Sequence, residues 1–211
     1  MTDTGSRVFI IDDDRSVRKS LARLLGAVGF ETEVFACAED YLARDRFEGV
    51  ACIILDVRMP GNSGLELQDH LHELGSELPI VFLTGHGDIP MSVKAIKGGA
   101  INFLTKPVNE DVLLSAVRQA LTRHKKKREE HDAIEKAQSS LSALTSREYE
   151  VMRYILSGAR NRQIATHLGI TEKTVKAHRA KIMAKMVVSS AVELGSVCAL
   201  LGITPKATTA G

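Results

Sequence analysis

Four short apolar runs in the first half of the chain each lead into a residue that can do chemistry. Val8-Phe9-Ile10-Ile11 runs into Asp12-Asp13-Asp14, and Val50-Ala51-Cys52-Ile53-Ile54-Leu55 into Asp56. Pro79-Ile80-Val81-Phe82-Leu83 runs into Thr84, and Ile101-Asn102-Phe103-Leu104 into Thr105-Lys106. Carboxylates gathered at one place repel each other, and the cheapest remedy is a hard, oxygen-seeking divalent cation such as Mg²⁺ or Mn²⁺. A carboxylate can also act as a nucleophile and accept a phosphoryl group. If Asp56 does so, the ammonium of Lys106 neutralises the phosphoryl oxygens and the hydroxyl of Thr84 donates to one of them. Taken singly, each residue has a plainer explanation: an Asp after a strand caps a helix, as Asp14 is expected to do, a Thr makes a turn, and a Lys is a solvated charge. Their joint occurrence at four run ends favours the chemical reading, provided the fold brings those ends together.

The surrounding elements predict that it does. The run at 50–55 does not alternate and is closed by the turn-rich Val57-Arg58-Met59-Pro60-Gly61-Asn62-Ser63-Gly64, which reads as a strand buried on both faces. Helical spacing is present over 16–28, 38–44, 64–74, 89–97 and 111–121, and a further strand is expected at 31–35. Five strands alternating with five helices predict an α/β domain with a doubly wound parallel sheet, because parallel neighbours need crossover helices. All strand ends then face one rim, the edge where open α/β sheets build their sites.

Composition sets the wider frame. The chain has 211 residues, of which 44% are apolar and 26% charged, enough for two small domains. No secretory leader pattern is present, and no apolar run approaches the roughly 18 residues that a membrane span requires, so a cytoplasmic protein with no membrane partner is expected. Cys37, Cys52 and Cys198 are odd in number and show no C-x-x-C pair, so buried reduced thiols are expected rather than a disulfide framework or zinc site. The net charge of +2 conceals an asymmetry: residues 1–122 carry 12 Lys and Arg against 18 Asp and Glu, whereas residues 143–211 carry 10 against 4. Only the C-terminal part is built to meet a polyanion. Between them, 123–142 is charge-rich and poor in apolar residues, a linker that can continue the preceding helix or touch DNA; the former is favoured because Glu129, Glu130 and Asp132 offset the basic run.

In the last third, Thr145-Ser146-Arg147-Glu148 matches a capping box before a helical stripe over 149–156. Asn161 is expected to cap a helix over 162–168, Gly169 to turn the chain, and Thr171 to cap a third helix over about 172–186, the helix-turn-helix pattern. At 3.6 residues per turn, Val175, His178, Ile182 and Met186 share one side of that helix. Lys173, Lys176, Ala177 and Ala180 share the other, which can lie in the major groove of double-stranded DNA. Thr174 accompanies them, and Arg179, Lys181 and Lys185 flank the stripe and suit phosphates. Ser190-Ala191-Val192-Glu193 is a second capping-box match, opening a helix over 191–201.

With these residues in view, Ile11-Asp12-Asp13-Asp14, Leu55 to Gly61, Leu83-Thr84-Gly85-His86-Gly87 and Lys106-Pro107 resemble the receiver domain of two-component response regulators over roughly residues 5–122. The segment from Leu144 to about Leu201 resembles the LuxR-type helix-turn-helix domain. Together they resemble response regulators of the FixJ/NarL group, with a flavodoxin-like receiver (1–122), a linker (123–142) and a small all-α domain (143–211). The resemblance implies phosphorylation of Asp56 by a sensor histidine kinase, a metal held by Asp12, Asp13, Asp56 and the Arg58 carbonyl, and a cis Lys106-Pro107 bond. It implies a switch in which Thr84 moves toward the phosphoryl group and Phe103 turns inward. It also implies homodimerisation on activation through a face carrying Val93, Lys97 and Phe103, and RNA polymerase as a downstream partner. In relatives the last helix often dimerises, which Val192, Leu194, Val197 and Leu200 would permit. Val187 stands where such domains usually have Gly closing the recognition helix. Two rival readings are a regulator acting without phosphorylation and a receiver-type phosphotransfer or phosphatase protein. His86 and the other histidines show no ligand spacing and are read as structural.

Overall fold

The computed structural model describes residues 5–206 apart from position 86, so the expectation for His86 lies outside the described residues. The chain divides into two compact units, residues 1–128 and 129–211.

In the first unit the chain order is β1 (Arg7–Ile11), α1 (Arg15–Ala27), β2 (Glu31–Phe35), α2 (Ala38–Leu42), β3 (Ala51–Leu55), α3 (Gly64–Glu73), β4 (Ile80–Thr84), α4 (Ile89–Lys97), β5 (Asn102–Thr105) and α5 (Glu110–Ser142). The strands form one parallel sheet in the order β2-β1-β3-β4-β5. β3 and β4 are buried at every position, which is why their sequences do not alternate. Alternate residues of the central strands serve two cores. Val8, Ile10, Cys52, Ile54, Val81 and Leu83 pack with α1 and α5, while Phe9, Ile11, Ile53, Leu55 and Phe82 pack with α2, α3 and α4. Burial pushes the Cys52 thiol up to about 12, so it stays protonated and behaves as a small apolar side chain. Cys37 departs from the expectation, being only half-buried where α2 begins.

Asp14 caps α1 as expected, its carboxylate accepting from the Ser16 N–H at 2.7 Å. Helix α2 ends at Leu42, shorter than its apolar spacing suggested, and α5 runs on through the charged stretch 123–142. The first turns of that stretch are fastened to the sheet's opposite rim: the Ala51 N–H donates to His124 Nδ1 at 3.0 Å, and Lys127 pairs with Glu77 at 2.9 Å.

The second unit holds the end of α5 and helices α6 (Ser146–Leu156), α7 (Asn161–Leu168), α8 (Glu172–Lys185) and α9 (Ala191–Leu200). Val151, Met152, Ile155, Ile164, Val175, Ile182 and Leu194 form its core. The Thr145–Glu148 capping box is present in full. Asn161 does not cap α7; it is the first helical residue, and the Arg160 N–H before it is satisfied by the Gln163 side chain at 2.8 Å. The Ser190 match is half realised: its hydroxyl accepts from the Glu193 N–H, but the Glu193 carboxylate reaches back to Ser189 instead. α8 ends in a Schellman turn, with the Val188 N–H donating to the Met183 carbonyl and the Val187 N–H to that of Ala184. Val187 itself takes the left-handed conformation, φ +53°, the position that glycine usually fills.

Candidate functional site

The sheet order puts β1 and β3 side by side in register, Ile11 opposite Leu55, and the Asp56 N–H donates to the Ile11 carbonyl at 2.9 Å. Asp12 and Asp56 therefore leave adjacent strands at the same level. β4 lies on the other side of β3, and β5 beyond it in register, Thr84 opposite Thr105. The Lys106 N–H donates to the Thr84 carbonyl at 2.8 Å, and from there its side chain reaches across to the carboxylates. Its ammonium donates to Asp12 Oδ2 at 2.6 Å and to Asp56 Oδ2 at 3.0 Å. The Lys106–Pro107 peptide is cis.

Asp12 and Asp56 are buried, and Thr84 is wholly so. Carboxylate oxygens of Asp12, Asp13 and Asp56 all lie within 4.8 Å of one another. Burial, which disfavours the anion, raises the pKa of Asp12 against the hydrogen bond from Lys106. Burial also opposes the Lys106 charge, but its hydrogen bonds to Asp12 and Asp56 prevail and the ammonium's pKa is raised. Three acidic groups meet one ammonium, and Asp13 is exposed toward solvent, so the donor set suits a divalent cation that keeps some of its water. The loop after Asp56 is held close: the Arg58 N–H donates weakly to Asp56 Oδ1 at 3.4 Å and the Gly64 N–H donates to the Val57 carbonyl at 2.9 Å. A Cβ on Gly64 would overlap the Asp56 carbonyl oxygen, so this glycine is required by close approach. Its place in the site is not apparent from the turn-rich spelling of 57–64, where it reads only as the start of a helix.

Residues 8–118 match the response regulator receiver domain family, and residues 142–198 match the bacterial regulatory proteins of the luxR family. The response regulator protein TodT of Pseudomonas putida F1 is 44% identical over 194 residues, covering 92% of this chain and 86% of TodT. The transcriptional regulatory protein FixJ of Azorhizobium caulinodans is 38% identical over 198 residues, 94% of each chain. Among solved structures, the response regulator StyR superposes with a TM-score of 0.86 at 45% identity, covering 93% of this chain and 99% of StyR. The chain belongs to the response regulators of the FixJ/NarL group.

In this response regulator the LuxR-type domain carries the second candidate surface. On α8, Val175 and Ile182 are buried, as is Met186 at its end, and His178 is half-buried, which places the inward stripe where its spacing put it. Lys173, Thr174, Lys176, Ala177, Ala180 and Lys181 are exposed and Arg179 is partly so. The Thr174 hydroxyl lies 2.9 Å from that of Thr171 at the helix start. Lys185, expected to flank the outward stripe, is engaged within the domain: its ammonium donates to Glu148 at 2.7 Å and to the Ala143 carbonyl at 2.9 Å. That ion pair, with the Thr145 N–H, draws the Glu148 carboxyl down to about 2. On α9, Leu194 is fully buried and Val197 packs against the same core, so only Val192 and Leu200 of the four apolar residues are free for another chain. In the receiver, Val93 is exposed, while Phe103 is half-buried with its ring 6.0 Å from that of Phe82. No helix among the described residues is long and apolar enough to cross a membrane.

Proposed function

We propose that this transcription regulator is switched by transfer of a phosphoryl group from a sensor histidine kinase to Asp56. The observation that carries the reading is the Lys106 ammonium bridging Asp56 and Asp12 at the carboxyl rim of the sheet. An Asp56 oxygen attacks phosphorus as the bond from the kinase's histidine nitrogen breaks, and the imidazole leaves with the electron pair. Lys106 follows the negative charge from the carboxylate to the phosphoryl oxygens, and the Thr84 hydroxyl donates to another of them. A magnesium or manganese ion bound by Asp12, Asp13, Asp56 and the Arg58 carbonyl would supply the remaining positive charge. Asp13, being exposed, leaves water a route to the site for later hydrolysis.

The phosphorylated receiver then favours a second conformation in which Thr84 and Phe103 have moved, and the face carrying Val93, Lys97 and Phe103 pairs with its copy. Dimerisation raises the effective concentration of the second DNA-binding domain at a two-fold site. Lys173, Thr174, Lys176, Ala177 and Ala180 enter the major groove, Arg179 and Lys181 hold phosphates, and the bound dimer acts on RNA polymerase. The test is incubation with acetyl phosphate and Mg²⁺. One base-labile, hydroxylamine-sensitive phosphoryl group should be gained, and Asp56→Asn should lose it; undiminished labelling of that variant would overturn the assignment.

A further inference from the structure

Gly87 lies three residues beyond Thr84, in the connection between β4 and α4. Its backbone is not in the left-handed region that favours glycine, so conformation alone does not call for the residue. Space does. A Cβ built there would stand 2.8 Å from Cε1 and 3.3 Å from Cζ of Phe103, and 3.3 Å from Cγ2 of Thr105. The first distance is shorter than real Cβ contacts allow. The Phe103 ring thus occupies the volume that any other side chain at position 87 would claim, with its inner side toward Phe82.

We propose that Gly87 is the positioning residue of the switch: by lacking a side chain it grants Phe103 its resting place against the β4–α4 connection. This rests on the reading that Phe103 changes place when Asp56 is phosphorylated. A methyl group at 87 crowds the place the ring holds in this structure; on the reading that phosphorylation carries the ring out of that place, Gly87→Ala shifts the unphosphorylated protein toward the active arrangement. A differential effect on two states is what a shift in their populations requires.

The experiment is fluorine NMR of the full chain labelled with 4-fluorophenylalanine, with the Phe103 resonance assigned by its loss in Phe103→Leu. Wild type is recorded before and after acetyl phosphate and Mg²⁺. In Gly87→Ala without phosphodonor, the Phe103 resonance should lie displaced toward the phosphorylated wild-type position, and the active population should rise on the order of fivefold or more. If it stays at the resting position while phosphorylated wild type moves, the role of Gly87 is wrong. If wild type does not move on phosphorylation yet Gly87→Ala displaces the ring, the role of Gly87 in placing it stands and the phosphorylation switch of Phe103 fails. Should Gly87→Ala not fold, it is made in the Phe103→Ala background, where only the 3.3 Å approach to Thr105 remains; if Phe103→Ala folds and the pair does not, the proposal is overturned.

Discussion

Val187 invites a substitution whose effect can be worked from its surroundings. It holds φ at +53°, where a β-branched side chain crowds the backbone on both sides. Such a residue costs about 2–3 kcal/mol, at the upper part of the range for strained backbone positions. The side chain recovers little in return, being 83% exposed, so its packing contributes only ~0.3–0.5 kcal/mol of the value of a fully buried valine. Replacing it by glycine removes the strain but loosens the unfolded chain, a loss of roughly 0.4–1 kcal/mol. The Schellman hydrogen bonds of Val187 and Val188 use backbone N–H groups and survive the change. Val187→Gly should therefore stabilise the second unit by about 1 kcal/mol, which for a domain of this size raises the melting temperature by about 4–8 °C. Differential scanning calorimetry of the full chain measures it, with Val187→Asn as an intermediate, since asparagine tolerates the left-handed region, and Val187→Ala as a control that retains the Cβ. A glycine variant that melts no higher than wild type, or no higher than the alanine variant, would refute the strain argument.

Three further outcomes are expected. Burial, aided by Arg128, lowers the His124 pKa, so the unfolded chain binds the proton first and receiver stability should fall as pH drops below about 6.5, the ordinary histidine value; chemical denaturation from pH 8 to 5.5 should show this slope in wild type and not in His124→Leu, which should also lose about 1–3 kcal/mol at pH 8 by orphaning the buried Ala51 N–H. Glu148 has its folded pKa at about 2 against an ordinary 4.5, so its contribution is complete above pH 4.5 and lost as pH falls toward 2; thermal melts of Glu148→Gln should be lower than wild type at pH 6 and converge with it in acid. Lys176→Ala should cost about 1–3 kcal/mol on the cognate site and relax preference at one base position, whereas Arg179→Ala should weaken all sequences alike and reduce the salt slope by about one; selection from a randomised DNA library, which would show an intact preference profile for Lys176→Ala if the roles are misassigned, separates them.

What could be read from the sequence divides by the range of the interaction. Capping at Asp14, Thr145 and Thr171 is decided within three residues of chain, and the helices begin there. The gathering of Asp12, Asp56 and Lys106 was legible although its members are up to 94 residues apart, because a parallel sheet forces every strand to end on one rim, and the rim gathers whatever follows each strand. Lys185 had no such guide. Helical spacing gives its direction from the α8 axis, and that direction suits a DNA phosphate as well as it suits Glu148; only the packing of α6 and of the end of α5 decides between them. Leu194 and Val192 are equally ambiguous, both apolar and both on α9, one inside and one outside.

Glycines carry the same lesson in a sharper form, because one letter stands for unrelated causes. At Gly169 it supplies the left-handed turn between α7 and α8, and a turn there is foreseeable from two flanking amphipathic stretches. At Gly64 and Gly87 the cause is a neighbour: a backbone carbonyl in one case and an aromatic ring from another strand in the other. Neither neighbour is within reach along the chain, so the residue type records the constraint without naming its source. Val187 is the converse, a left-handed position without its glycine, visible only as a departure from what similar domains have. The three compensate differently: at 64 the missing Cβ has no substitute, since the space belongs to a backbone carbonyl, at 87 the space belongs to a ring that can be displaced, and a superfluous side chain at 187 points into solvent and costs only its own strain. Substitution should therefore be lenient at the end of α8, severe at Gly64 beside Asp56, and at Gly87 expressed in the placement of Phe103.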